Sequence, residues 1–73
     1  MQIYELRARY DSRKSFYGKA HVIFLDDGTV QLKSYDTIVC EIDKNNAFRM
    51  LWNGKTQTTT RHINEFKKQF NII

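Results

Sequence analysis

Seventy-three residues, 41% of them apolar and 14% aromatic, make one small folded domain spanning residues 1–73. A chain this short closes a single core, buries roughly 60% of its unfolded surface and leaves no room for a second domain. Charged residues at 27% and a net charge of +4 exclude a strongly self-repelling, disordered chain, and the single cysteine, Cys40, excludes an internal disulfide and, with two histidines, a Cys/His zinc cluster.

The elements follow in chain order. Over residues 3–10, Tyr4, Leu6, Ala8 and Tyr10 alternate with Ile3, Glu5, Arg7 and Arg9, the period of two that predicts a strand with one buried face. Arg7 and Arg9 then point outward. Asp11-Ser12-Arg13-Lys14-Ser15 reads as a turn, and residues 19–25 read as a second strand, apolar on both faces except at His21 and so expected inside the sheet. Asp26-Asp27-Gly28-Thr29 is a hairpin signal, because Asp-Gly tolerates the positive φ of tight turns.

Beyond it, Val30, Leu32, Ile38, Cys40 and Ile42 share one parity, but the polar Ser34 and Asp36 interrupt it, which predicts a bend, bulge or break near Tyr35. Asp43-Lys44-Asn45-Asn46 is another turn, followed by a strand with Phe48, Met50 and Trp52 on one face. The last element is a helix of about residues 58–70: Ile63, Phe66 and Phe70 recur at helical spacing, Thr58 or Thr59 caps the start, and Lys67 and Lys68 oppose the dipole at the end. In this reading Arg61, Asn64, Glu65, Lys67 and Lys68 lie off the apolar stripe. The fold class expected is α+β: a small curled antiparallel sheet of four or five strands over residues 2–52, with one C-terminal helix packed on it.

Charge is banded: +3 over residues 1–20, −4 over 21–43 and +5 over 44–73. If the fold brings the two ends together, positive potential concentrates on one side and suits nucleic acid. The competing reading is that the acidic middle neutralises its neighbours across strand pairs. The phosphate-binding candidates are Arg7, Arg9, Arg13, Lys14 and Lys19 in the first hairpin, with Tyr10 and Tyr17 as stacking surfaces and Arg49, Lys55 and Arg61 extending the footprint if they share its side of the fold. DNA and RNA stay equally open. A host protein or a second copy, bound through an open sheet edge, is the alternative partner.

Catalysis is weighed and set aside. His21, His62 and Cys40 supply reactive side-chain types, but parity makes Cys40 a small buried hydrophobe, and His62, near a helix start, suits a bond to a threonine or backbone group. Asp26-Asp27 and Glu41/Asp43 read as turn and strand-end chemistry rather than as a metal site, and Gly18, Gly28 and Gly54 are too scattered for a phosphate loop. No enzyme activity and no cofactor are expected. Residues 1–7 lack the basic-then-apolar layout of an export signal and no apolar run approaches the ~20 residues of a bilayer span, so a cytoplasmic location without a membrane partner is expected.

Ser34-Tyr35-Asp36-Thr37-Ile38-Val39, then Trp52, then Thr58-Thr59-Thr60-Arg61-His62-Ile63-Asn64-Glu65-Phe66 give the C-terminal half a resemblance to a family of short uncharacterised proteins from phages and mobile elements of Gram-positive bacteria. Its Ser-Tyr-x-Thr strand, tryptophan and Thr-Thr-x-His-Ile helix start correspond to Tyr35, Thr37, Trp52, Thr58, Thr59, His62, Ile63 and Phe66. The Gly54-Lys55-Thr56-Gln57 connection departs from the pattern. The resemblance implies a setting inside a phage-infected or element-bearing host cell and brings no reaction with it. Parity and capping assign Trp52, Thr58, Thr59, His62, Ile63 and Phe66 a structural role at the joint between sheet and helix.

Overall fold

The computed structural model describes residues 1–7, 9–10, 18–54 and 56–72. Ala8, Arg13, Lys14, Tyr17, Lys55 and the expected turn over 11–15 lie outside the described residues. Five strands, β1 (Gln2–Glu5), β2 (Ala20–Phe24), β3 (Val30–Ser34), β4 (Thr37–Ile42) and β5 (Phe48–Met50), form one antiparallel sheet in the order β1-β2-β3-β4-β5. The helix α1 (Gln57–Gln69) follows. This is the expected α+β meander with five strands.

Turn chemistry sets the registers. Leu25 and Asp43 each open a three-residue loop closed by Leu25 N–H to Thr29 O (2.8 Å) and Asp43 N–H to Ala47 O (3.0 Å). The third loop residue is left-handed in both, Gly28 at φ 94° and Asn46 at φ 67°, and these are residue types that adopt positive φ readily. Asp27 and Asp43 brace their loops by accepting from Thr29 N–H (2.8 Å) and from Asn45 and Ala47 N–H (2.8 and 2.9 Å). The amide of Thr29 lowers the pKa of Asp27.

The interruption expected near Tyr35 is two features. Ser34 pairs with Thr37 across a two-residue turn in which Tyr35 takes φ 55°, an unusual conformation for an aromatic residue. A bulge follows: Leu32 faces Cys40 but Lys33 faces Ile38, so Val39 is inserted. The parity reading therefore needs correction at Ile38, which lies across from Lys33 on the far face, while the consecutive residues Val39 and Cys40 are both buried. Straight-strand alternation cannot bury two neighbours on one face, and a bulge can.

The core lies between the sheet and α1, where Leu6, Ala20, Val22, Leu32, Val39, Cys40 and Ile42 meet Ile63 and Phe66, with Trp52, Phe48 and Phe70 packed at its margin. Burial pushes the Cys40 thiol up to about 12. The other sheet face carries Ile3, Ile23, Gln31, Glu41 and Arg49 in one cross-strand row. The first strand is shorter than alternation suggests: all of Gln2–Glu5 is exposed, and among the described members of the expected inward set Leu6 is buried while Tyr4 and Tyr10 remain largely in solvent. The chain leaves the sheet after Leu6, whose N–H donates to Ala20 O (3.0 Å), and turns toward the helix. No helix among the described residues is long and apolar enough to cross a membrane.

Candidate nucleic-acid interface

Helix α1 begins one residue before Thr58. Thr56 is the N-cap, its hydroxyl accepting from Thr59 N–H (3.2 Å), which corrects the expectation that Thr58 or Thr59 fills that place. Thr58 is exposed and Thr59 is buried. Freed from capping, Thr59 reaches Ser34 at the end of β3 through a 3.0 Å hydroxyl–hydroxyl bond, and His62 Nδ1 lies 2.8 Å from the same Ser34 Oγ. A serine beside a histidine has the makings of a nucleophile and its base. Here Ser34 is 3% and His62 0% exposed, so Oγ has no route to a substrate in this conformation, and the trio joins sheet to helix.

The more consequential correction concerns Glu65. Helical spacing put it outside the apolar stripe, but it is 2% exposed. Its carboxylate accepts from Arg9 N–H (3.1 Å), from Tyr10 N–H (2.9 Å) and from Gln69 Nε2 (2.6 Å), while Gln69 Nε2 also donates to Arg7 O. Glu65 and Gln69, one helical turn apart, thus clamp the backbone at Arg7, Arg9 and Tyr10 along one flank of α1. Hydrogen bonds to a carboxylate are stronger than bonds between neutral groups, which suits Glu65 to holding this backbone on the helix.

That clamp ties the N-terminal segment to α1. Arg7 and Arg9 ride on the clamped segment, and both are exposed. Arg61, four residues before Glu65, and Lys68, three after it, lie on the same flank by helical geometry, Arg61 half-buried and Lys68 exposed. The exposed ring of Tyr10 sits at the end of this ridge. The ion pairs among the described residues engage Arg49 and the Met1 ammonium and leave Arg7, Arg9, Arg61 and Lys68 outside them.

Arg49 does not join the ridge. It lies on β5, four strand spacings or about 19 Å from β1, on the face away from α1, and is held 3.6 Å from Glu41 across the strand pair. That pair is the compensation across strands that the acidic middle band suggested. Lys19 is exposed on the parity of His21 and Ile23, toward the face away from α1, and Lys67 leans the other way, with its Nζ 5.1 Å from the Phe48 ring centroid. Arg13 and Lys14 lie outside the described residues. Lys68 is the ridge residue that sequence reasoning missed; its spacing of seven from Arg61 was the available signal.

A protein-family model described as a family of unknown function (DUF8033) matches residues 4–72. The chain belongs to this family. The DUF8033 match takes in β2, β3 and the ridge arginines as well as the C-terminal half that carried the resemblance. A search of curated proteins and a search of solved structures each found no match.

Proposed function

We propose that this chain is a small non-enzymatic binding protein of a phage or mobile genetic element, acting inside the host cell and gripping the phosphate backbone of nucleic acid along the ridge of Arg7, Arg9, Arg61 and Lys68. The observation that supports the reading is the clamp of Glu65 on the Arg9 and Tyr10 amides, which ties the segment bearing Arg7 and Arg9 to the helix that bears Arg61 and Lys68. The phage setting rests on the motif resemblance around Tyr35, Trp52 and His62. Tyr10, 60% exposed beside the ridge, offers a ring on which an unpaired base stacks, which favours single-stranded over duplex ligand.

Four phosphate contacts give a slope of log K against log salt of about −2.8 for a single strand. Fluorescence anisotropy of labelled single-stranded DNA, RNA and duplex across a salt series tests this. Arg7→Ala/Arg9→Ala and Arg61→Ala/Lys68→Ala should each flatten the slope and weaken binding to all sequences alike. Binding that ignores salt, or that survives both double substitutions, sinks the proposal. A competing reading, an interaction module or inhibitor acting on a host protein, draws support from the exposed edge of β1 and predicts instead a salt-tolerant protein complex.

A further inference from the structure

An edge strand is safe from pairing when it is short, charged, bulged or covered. β5 has two of these protections, with three residues and Arg49 at its centre. β1 has neither a bulge nor a central charge: Gln2, Ile3, Tyr4 and Glu5 are all exposed and carry one charge, at the end. Ile3 and Tyr4 are 55% and 52% exposed on opposite faces of it.

The register shows which backbone groups are available. Leu6 N–H donates to Ala20 O, so Leu6, Tyr4 and Gln2 turn their amides and carbonyls toward β2, and by antiparallel alternation Ile3 and Glu5 turn theirs outward. We infer that β1 pairs antiparallel with β1 of a second copy about a two-fold axis at Ile3, joining two sheets into one of ten strands.

A two-fold axis perpendicular to the sheet keeps the helix-bearing face and the opposite face each continuous, so only residues of equal parity face each other. With Ile3 on the axis, Ile3 exchanges both backbone hydrogen bonds with its counterpart, and Glu5 N–H reaches the Met1 carbonyl of the second copy. The face away from α1 then carries an apolar row of the buried Ile23, the exposed Ile3 and the same two residues of the second copy, in reverse order. On the helix side Tyr4, whose ring meets Phe24 edge-on at 5.6 Å, stands opposite Gln2 of the second copy, a side chain with which its hydroxyl already bonds within one chain at 2.7 Å.

Charge disfavours the registers shifted toward the Glu5 end of β1. An axis at Tyr4 sets Ile3 against a carboxylate, and an axis at Glu5 sets two carboxylates face to face, which is destabilising. The Ile3 axis does neither. A second copy is favoured over an acidic or basic partner because the contact row is apolar and bears its charge only at the ends.

Sedimentation equilibrium of the full chain without nucleic acid and at high salt, where the ridge is screened, tests this apart from the nucleic-acid reading. A concentration-dependent monomer–dimer equilibrium is expected, weakened at least tenfold by Ile3→Lys. The exposure of Ile3 makes that substitution tolerable to the fold, and circular dichroism checks it. A residue facing its own copy in a hydrogen-bonded pair stands at ~5.5 Å, within disulfide range, so Ile3→Cys should cross-link on mild oxidation and Tyr4→Cys should not. A monomer at every concentration, a dimer indifferent to Ile3→Lys, or preferential cross-linking through Tyr4→Cys overturns the inference.

Discussion

Ser34 Oγ and His62 Nδ1, 28 positions apart in the chain, meet at 2.8 Å in a fully buried contact that fixes the start of α1 to the end of β3. Thr59 joins them from one turn earlier, and the Tyr35 ring lies 6.0 Å from the imidazole. Buried polar groups are tolerated only when matched, so this contact is specific in a way the surrounding aliphatic packing is not.

Ser34→Ala leaves a buried imidazole nitrogen and a buried threonine hydroxyl short of a partner. We expect a loss of about 1–3 kcal/mol in urea unfolding, against less than about 1 for Thr58→Ala on the exposed face. Equal effects from the two substitutions would contradict the joint.

Glu65→Gln keeps the shape of the clamp but replaces a charged acceptor by a neutral amide. The Arg9 and Tyr10 amides should exchange with solvent faster by hydrogen–deuterium exchange, and Glu65→Ala should cost about 1–3 kcal/mol. If the two amides are equally protected in both variants, Glu65 is not what holds the segment to the helix.

The two threonines near the helix start separate cleanly. Thr56→Ala removes the cap and should lower stability by about 1 kcal/mol, and Thr56→Asp should retain it. A thermal melt of the three variants Thr56→Ala, Thr56→Asp and Thr58→Ala checks the assignment.

Cys40 carries the pH dependence. Its folded-state pKa is raised to about 12, above the value of 9.0 for a free thiol, so the folded chain holds its proton where the unfolded chain has lost it. The resulting penalty is absent below pH 9 and grows through the alkaline window up to the folded value. Stability should fall by up to about 1.4 kcal/mol per pH unit there, a slope missing from Cys40→Ala. Native protein should be inert to thiol reagents at pH 8 and react on unfolding.

Gly54 lies against the Trp52 indole so closely that an added Cβ would overlap Cζ2. Gly54→Ala should displace the ring from the core margin, seen as a red-shifted tryptophan emission. Unchanged emission would show that the loop yields instead.

Much of the architecture was legible in the chain itself. Period-two alternation, the Asp-Gly and Asn-Asn turns and the Ile63/Phe66/Phe70 spacing are local signals, and five antiparallel strands with a helix on one face follow from them. The β4 bulge was not legible, because inserting Val39 leaves no mark beyond a broken parity that a turn also explains. The exposure of Tyr4 and Tyr10 was hidden for a related reason: alternation continues past Leu6, but the chain departs from the sheet there because Glu65 and Gln69 capture its backbone.

The sequence by itself determined the class of fold and the banding of charge, since each depends on neighbours within a turn or a strand. Only the tertiary structure decided that Glu65 is buried and bonded to the Arg9 and Tyr10 amides, that Arg49 is paired with Glu41 across the sheet, and that β1 is an exposed end strand among the described residues. Those facts depend on which distant segments satisfy each other's hydrogen bonds, and residue spacing carries no record of that.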